Sequence, residues 1–271
     1  MKILTLSARR LKPAATIIFL ILLTFSAIPA IASVPVTSLQ SGDLIRGQTY
    51  SSVYYYGADG FRYVFPNDKT YFTWYGNFDN VKWISDNDLS TIQIGGNVTY
   101  KPGVKMIKIN SDPKVYAVAG GGILRAINSE LVAKELYGAN WNKQIDDVPD
   151  GFFSNYKIGS KIELASQYSS KAEKADATDI NSDKNLKATT IISITNTGYE
   201  PPTATIESGT AVRFVNNSNT NQSATEWDSV WGTGTLKPGE HFTRYFVEKG
   251  TWSYYSKYVS KSVMGGTVIV K

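Results

Sequence analysis

The side chains able to do chemistry are few, and their types narrow what that chemistry can be. The chain has no cysteine and a single histidine, His241, among 271 residues. That supply removes thiolate nucleophiles, disulfide scaffolds and clustered Cys/His metal sites. A Ser-His-Asp arrangement would have to use His241, and no Gly-x-Ser-x-Gly elbow is present to support one. His241 sits in Glu240-His241-Phe242-Thr243-Arg244-Tyr245-Phe246. Strand alternation sets it opposite Phe242 and Phe246, hence toward solvent if those two face a core. Carboxylates remain: Asp86 with Asp88, and Asp146-Asp147 with Asp150. Two acids facing each other across a cleft could hydrolyse a glycosidic bond. Asp at a turn more commonly hydrogen-bonds its local backbone, and no catalytic residue is assigned.

A second set of candidate positions lies toward the C-terminus. Gly250-Thr251-Trp252-Ser253-Tyr254-Tyr255-Ser256 leads into Lys257-Tyr258-Val259 and closes on Met264-Gly265-Gly266-Thr267-Val268-Ile269-Val270. This resembles the last two strands of the cupredoxins, the blue-copper β-sandwich family. In its plastocyanin-like branch the segment carries Cys-x2-His-x4-Met, and an earlier loop supplies a second His. The resemblance sets the Cys position at Ser256, the first His position at Val259 and the axial Met at Met264. The earlier His falls at Gln222, in Asn216-Asn217-Ser218-Asn219-Thr220-Asn221-Gln222-Ser223. A blue-copper centre needs one thiolate and two imidazoles with a weak axial thioether. Only the thioether is here. Gln222, Ser256, Val259 and Met264 therefore read as degenerate copper-ligand positions, with no cofactor and no metal expected. Nearby, Trp227 and Trp231 share a loop with Gly232 and Gly234, where a ring more commonly packs over the end of the sandwich, while an exposed one could stack on a glycan or a partner protein.

The elements that position these residues follow from pattern. Residues 188–271 read as short strands between regular turn signals, an all-β sandwich. The cupredoxin resemblance spans this stretch through Gly198-Tyr199-Glu200-Pro201, Gly209-Thr210-Ala211-Val212 and Lys237-Pro238-Gly239-Glu240. It is closest to the iron-uptake-associated and plastocyanin-like domains and implies a Greek-key sandwich.

Residues 42–162 carry an internal duplication with units of about 42–102 and 103–162. Val53-Tyr54 recurs as Val115-Tyr116, Gly60 as Gly122, and Tyr75-Gly76 as Tyr137-Gly138. Each copy reads as strand, tight turn, strand and helix, an α+β unit. Asn67 and Ser129 are predicted N-caps, and Gly76 and Gly138 the left-handed residues that end a helix. The tandem unit resembles a short repeat of exported bacterial surface proteins, which implies export and a non-catalytic accessory role.

The ends and the joins complete the organisation. Lys2, Arg9, Arg10 and Lys12 precede an apolar run from Ala14 to Ile28 and the small-x-small triplet Ala30-Ile31-Ala32. Residues 1–32 are thus expected to be a signal peptide, with no stable membrane span after its cleavage. Removing those four basic residues from a net charge of +5 leaves +1, so nucleic acid is not an expected partner. Residues 163–187 mix charges with scattered apolar residues and are expected to be a flexible linker. The sequence thus points to a multidomain, exported, non-enzymatic cell-surface or envelope protein, extracellular or periplasmic. Its partner would be a cell-wall glycan or another envelope protein. A metal-linked or electron-transfer cupredoxin and a carbohydrate-active hydrolase stand as alternatives.

Overall fold

Short β-rich runs on either side of a glycine turn pair locally, and such hairpins seed the first two sheets. The computed structural model describes residues 33–260 and 263–271. In it β1 (Leu44–Arg46), β2 (Tyr54–Tyr56) and β3 (Arg62–Val64) form an antiparallel meander. Two outer strands, β4 (Val81–Trp83) on β1 and β5 (Ile94–Asn97) on β3, are added in parallel. The second sheet uses β6 (Met106–Ile109), β7 (Asp112–Ala119), β8 (Ile123–Ala126), β9 (Ile145–Val148) and β10 (Lys157–Ile158). Its order, β10-β8-β7-β6-β9, has the same connectivity as β4-β1-β2-β3-β5 read from the other edge.

The helices of the two sheets also correspond. After the meanders come α1 (Asp68–Trp74) and α3 (Glu130–Tyr137); before the last strands come α2 (Asp86–Thr91) and α4 (Asp150–Phe153). Asn67 accepts from the Thr70 N–H and Ser129 from the Val132 N–H, so both caps predicted from sequence are made. Gly138 closes α3 with φ 81°. Gly76 does not play that part: α1 stops on extended Tyr75, and Gly76 has no positive φ.

Residues 163–187 are not the free tether that their composition predicts. They carry α5 (Ser170–Asp176) and α6 (Ile180–Lys184), and they bury Tyr168, Ala177 and Ile180. Their polar side chains hold both hairpin turns, whose N–H groups the ladders leave unpaired. Glu173 Oε2 accepts from the Gly120 N–H and Asp183 Oδ1 from the Gly121 N–H, each at 2.8 Å. Asn181 Oδ1 accepts from the Ala58 N–H at 2.8 Å on the first sheet. The few apolar residues suffice because each enters a core supplied by the sheets rather than building its own.

The remaining strands are β11 (Thr190–Ile194), β12 (Tyr199–Glu200), β13 (Thr203–Ile206), β14 (Thr210–Asn216), β15 (Thr225–Glu226), β16 (His241–Phe246), β17 (Gly250–Tyr255) and β18 (Gly265–Val270). They make two four-stranded sheets, β12-β11-β14-β16 and β13-β18-β17-β15. Ile192, Ile194, Val212, Phe214 and Phe246 of one share a core with Ala204, Ile206, Tyr254, Val268 and Val270 of the other. This is a sandwich, as its strand pattern requires.

The outer face of β14 and β16 is covered by the first sheet. Ala211 is buried in a core with Tyr55, Phe61, Tyr63 and Ile180, and Tyr245 packs against it. The Tyr245 ring stacks on Phe61 with centroids 5.0 Å apart. Arg213 Nη2 donates to the Gly60 carbonyl at 2.8 Å, and the Gln93 amide accepts from and donates to the Thr243 backbone. His241, expected at solvent, shares this face and is half-buried beside Arg213 and the Thr91 backbone. Alternation was read correctly; the covering sheet was not visible to it. The expected transport signal, residues 1–32, lies outside the described residues. Among the described residues no helix is long and apolar enough to cross a membrane.

Candidate functional site

The loop after β14 and the turn after β17 bring two of the four singled-out positions into direct contact. Ser256 Oγ donates to Gln222 Oε1 at 2.7 Å. The same oxygen accepts from the backbone N–H of Ser223 at 3.2 Å and of Tyr258 at 3.3 Å. Gln222 is fixed in turn: its backbone pairs both ways with Leu236, and its Nε2 donates to Thr220 Oγ1 at 3.2 Å. Lys257 N–H donates to Ser223 Oγ at 2.9 Å. Ser256, Gln222 and Met264 are all buried; Met264 belongs to the sandwich core, and half-buried Val259 packs against that core.

The donor set decides what this arrangement can hold. It comprises one hydroxyl, one amide oxygen and one thioether, with an isopropyl group at the fourth position. A blue-copper centre requires a thiolate to balance the ion's charge and imidazoles to complete the trigonal set. The hydroxyl and the amide are already spent on each other, so ligation would first have to break a buried hydrogen bond. These residues do not fit a copper ion.

The two loop tryptophans separate. Trp227 is 46% exposed, with its ring edge-on to Tyr255 at 6.0 Å. Trp231 is only 8% exposed and packs among Phe214, Phe246 and Tyr254, so it takes the packed arrangement, and the alternative of a surface contact at Trp231 is corrected. The flanking glycines suggested an open loop, whereas the ring turns inward and closes the end of the sandwich. Glu226, on the same loop, accepts from the N–H groups of Asp228 and Val230, which uses its carboxylate to shape the turn. Above this floor lies a cleft of about 310 Å³ whose walls include Ser223, Thr225, Thr235, Lys257 and Tyr258. Sequence reading missed it, because its polar lining comes from three separate loops.

The repeat carboxylates are occupied locally. Asp86 accepts from the N–H groups of Gln48 and Thr49 and from the Thr49 hydroxyl. The Thr49 hydroxyl first, then the Thr49 and Gln48 N–H groups, hold its carboxyl below the usual range. Asp146 and Asp147 pair with Lys105 at 3.6 Å and Lys108 at 2.5 Å. Asp150 is exposed in the first turn of α4. No group of three or more His, Asp or Glu side chains that could hold a metal occurs among the described residues.

A polar cluster without precedent in the sequence reading lies where the first sheet meets the sandwich. Asp59, fully buried, accepts from the hydroxyls of Tyr63 and Tyr245 and from the Phe61 N–H. Lys184 sits over the Tyr63 ring at 5.2 Å. Burial, then the bond to Asp59, pushes both phenols above the usual tyrosine range. They stay protonated and donate.

No family model matches the chain, and no curated protein matches it. Solved structures do. A purple cupredoxin from Nitrosopumilus maritimus is 23% identical with a TM-score of 0.29, over 30% of this chain and 99% of that one. An oxidised amicyanin variant is 20% identical with a TM-score of 0.28, over 30% of this chain and 81% of that one. A copper-containing nitrite reductase from Thermus scotoductus is 20% identical with a TM-score of 0.29, over 31% of this chain and 23% of that one.

Proposed function

We propose that this is an exported, non-enzymatic cell-surface or envelope protein whose C-terminal domain is a Greek-key cupredoxin-like sandwich that has given up copper for a binding or structural role. One observation carries the reading: the positions that the resemblance assigns to thiolate and imidazole hold Ser256 and Gln222, hydrogen-bonded to each other and buried. A neutral pair of this kind stabilises two loops and offers an incoming cation no charge. The matching connectivity of the two N-terminal sheets supports their origin as copies of one unit. The basic and apolar character of residues 1–32 supports export. Trp227, 46% exposed, is the side chain offered for a cell-wall glycan or a partner protein.

Two measurements test this. Cu(II) added to the full chain is expected to give no intense visible band and no stoichiometric uptake; either one would overturn the copper-free reading. Retention on a cell-wall preparation is expected to fall severalfold in Trp227→Ala with the thermal midpoint unchanged. Equal retention by the variant would remove the glycan role of that ring.

A further inference from the structure

We infer that the open edge of the sandwich binds a carboxylate carried on an apolar body, with Arg244 as its anchor. Arg244 lies between Phe242 and Phe246 on β16, at a register position that faces the core side. Its guanidinium sits over the rings of Trp231, at 4.9 Å, and Phe246, at 5.1 Å. Among the described residues that guanidinium makes no hydrogen bond and no ion pair; its Nε is covered and unpartnered. The two Nη nitrogens are unpartnered too, but they are not covered. The fork that an arginine presents end-on to a carboxylate is therefore free.

The surroundings specify the rest of the ligand. A groove of about 240 Å³ runs beside Arg244, with Val230, Trp231, Phe246, Val247 and Trp252 as its apolar walls. That is far larger than a carboxylate alone. Val230 is 69% exposed and Val247 64% exposed, so apolar surface stands ready to be covered. Glu248 is the acidic residue on the rim, and it does not pair with Arg244. Trp231, only 8% exposed, brings a second buried donor without a partner, its Nε1. Covering the guanidinium Nε without supplying an acceptor is costly. Desolvation holds Arg244 below the usual arginine range. Stacking on aromatic faces recovers only part of that cost.

A purely structural role is the competing account, since an inward charge on an edge strand discourages pairing with another chain. Ligand binding separates the two. The carboxylate could belong to a free small acid or to the last residue of a peptide, and the probes distinguish these sources. Calorimetric titration of the full chain would use phenylacetate against phenylacetamide, and a phenylalanine-terminated tripeptide as free acid against its amide. Phenylacetate is expected to bind at least about tenfold tighter than its amide, the worth of a charge-assisted hydrogen bond. Arg244→Met, which keeps the apolar stem, should abolish that preference; Arg244→Lys, a charge without a fork, should keep part of it. A tripeptide acid that binds more tightly than phenylacetate, with the same Arg244 dependence, assigns the site to peptide termini; weaker tripeptide binding assigns it to free acids. The acid-against-amide comparison is made on the unaltered chain, so it does not depend on any variant folding. Equal binding of acid and amide, or no saturable binding of either, overturns the proposal and leaves Arg244 as an edge guard.

Discussion

Ser256 has one hydroxyl and three partners, and its replacement exposes how the loops around it are held. Ser256→Ala leaves the Gln222 Oε1 and two backbone N–H groups without their partner in a buried place. Each unsatisfied group costs about 1–3 kcal/mol, and relaxation of the loop will return part of the total. We expect about 2 kcal/mol of lost stability in urea unfolding of the full chain. In a double-mutant cycle, Gln222→Leu in the Ser256→Ala background should cost less than Gln222→Leu alone, because the two side chains share one bond. The converse experiment restores chemistry. Gln222→His, Ser256→Cys and Val259→His together supply the thiolate and imidazoles that Met264 lacks for company. The triple variant should develop an intense visible band with Cu(II), and Ser256→Cys alone should not. A colourless triple variant would show that these four positions do not converge as the resemblance implies. The absence of cysteine and the single histidine were legible in composition alone; the hydrogen bond between Ser256 and Gln222 was not, because hydroxyl and amide lie 34 residues apart.

At the scale of elements, the hairpin turns of the first half are contact surfaces as much as reversals of direction. Gly60 has φ 76°, and a Cβ there would meet the Arg213 guanidinium at 2.1 Å. Gly60→Ala therefore combines backbone strain with displacement of the Arg213 bond to the Gly60 carbonyl. We expect a loss of roughly 1–3 kcal/mol in denaturant unfolding. Tyr245→Phe removes one of the two phenols that solvate buried Asp59 and should cost a similar amount, about 1–3 kcal/mol. What sequence could tell about these elements depended on range. Asn67 and Ser129 were readable as caps because a cap is made within three residues. The α5–α6 segment read as a tether because its helices are too short to show a hydrophobic stripe. Its acceptors find partners on turns more than 50 residues away in chain order. Trp227 and Trp231 could not be told apart for the same reason: glycine neighbours describe a loop, not the side from which a ring can reach a core.

Across the whole molecule, the sandwich and the first sheet share buried residues, and this decides how they should unfold. Ala211 and Ile180 are buried in the same core as Tyr55 and Phe61, with Tyr245 packed on it. The Asp59 cluster and the Gln93 and Arg213 bonds add a polar seam around that core. Units joined this way melt in one transition, whereas units joined by a loose chain melt separately. Calorimetry of the full chain should show a single transition, and Arg213→Ala with Tyr245→Ala should split it in two. Two transitions in the unaltered chain would mean that the junction contributes little. His241 gives the same junction a pH dependence. Burial first, then Arg213, holds its imidazole below the ordinary value of 6.5, with the Thr91 backbone opposing. The unfolded chain then takes up the proton before the folded one does as pH falls. The stability conferred by neutral His241 is complete above about pH 6.5 and declines below it until the lower folded value is passed. Asp183 acts in the opposite sense, since burial raises its carboxyl and the folded chain takes its proton early. The two are separated by comparing the unaltered chain with His241→Gln between pH 7 and pH 5. The variant should lose less stability over that interval, and Asp183 is common to both. Equal slopes would place His241 outside the junction, in solvent, where strand alternation alone had set it.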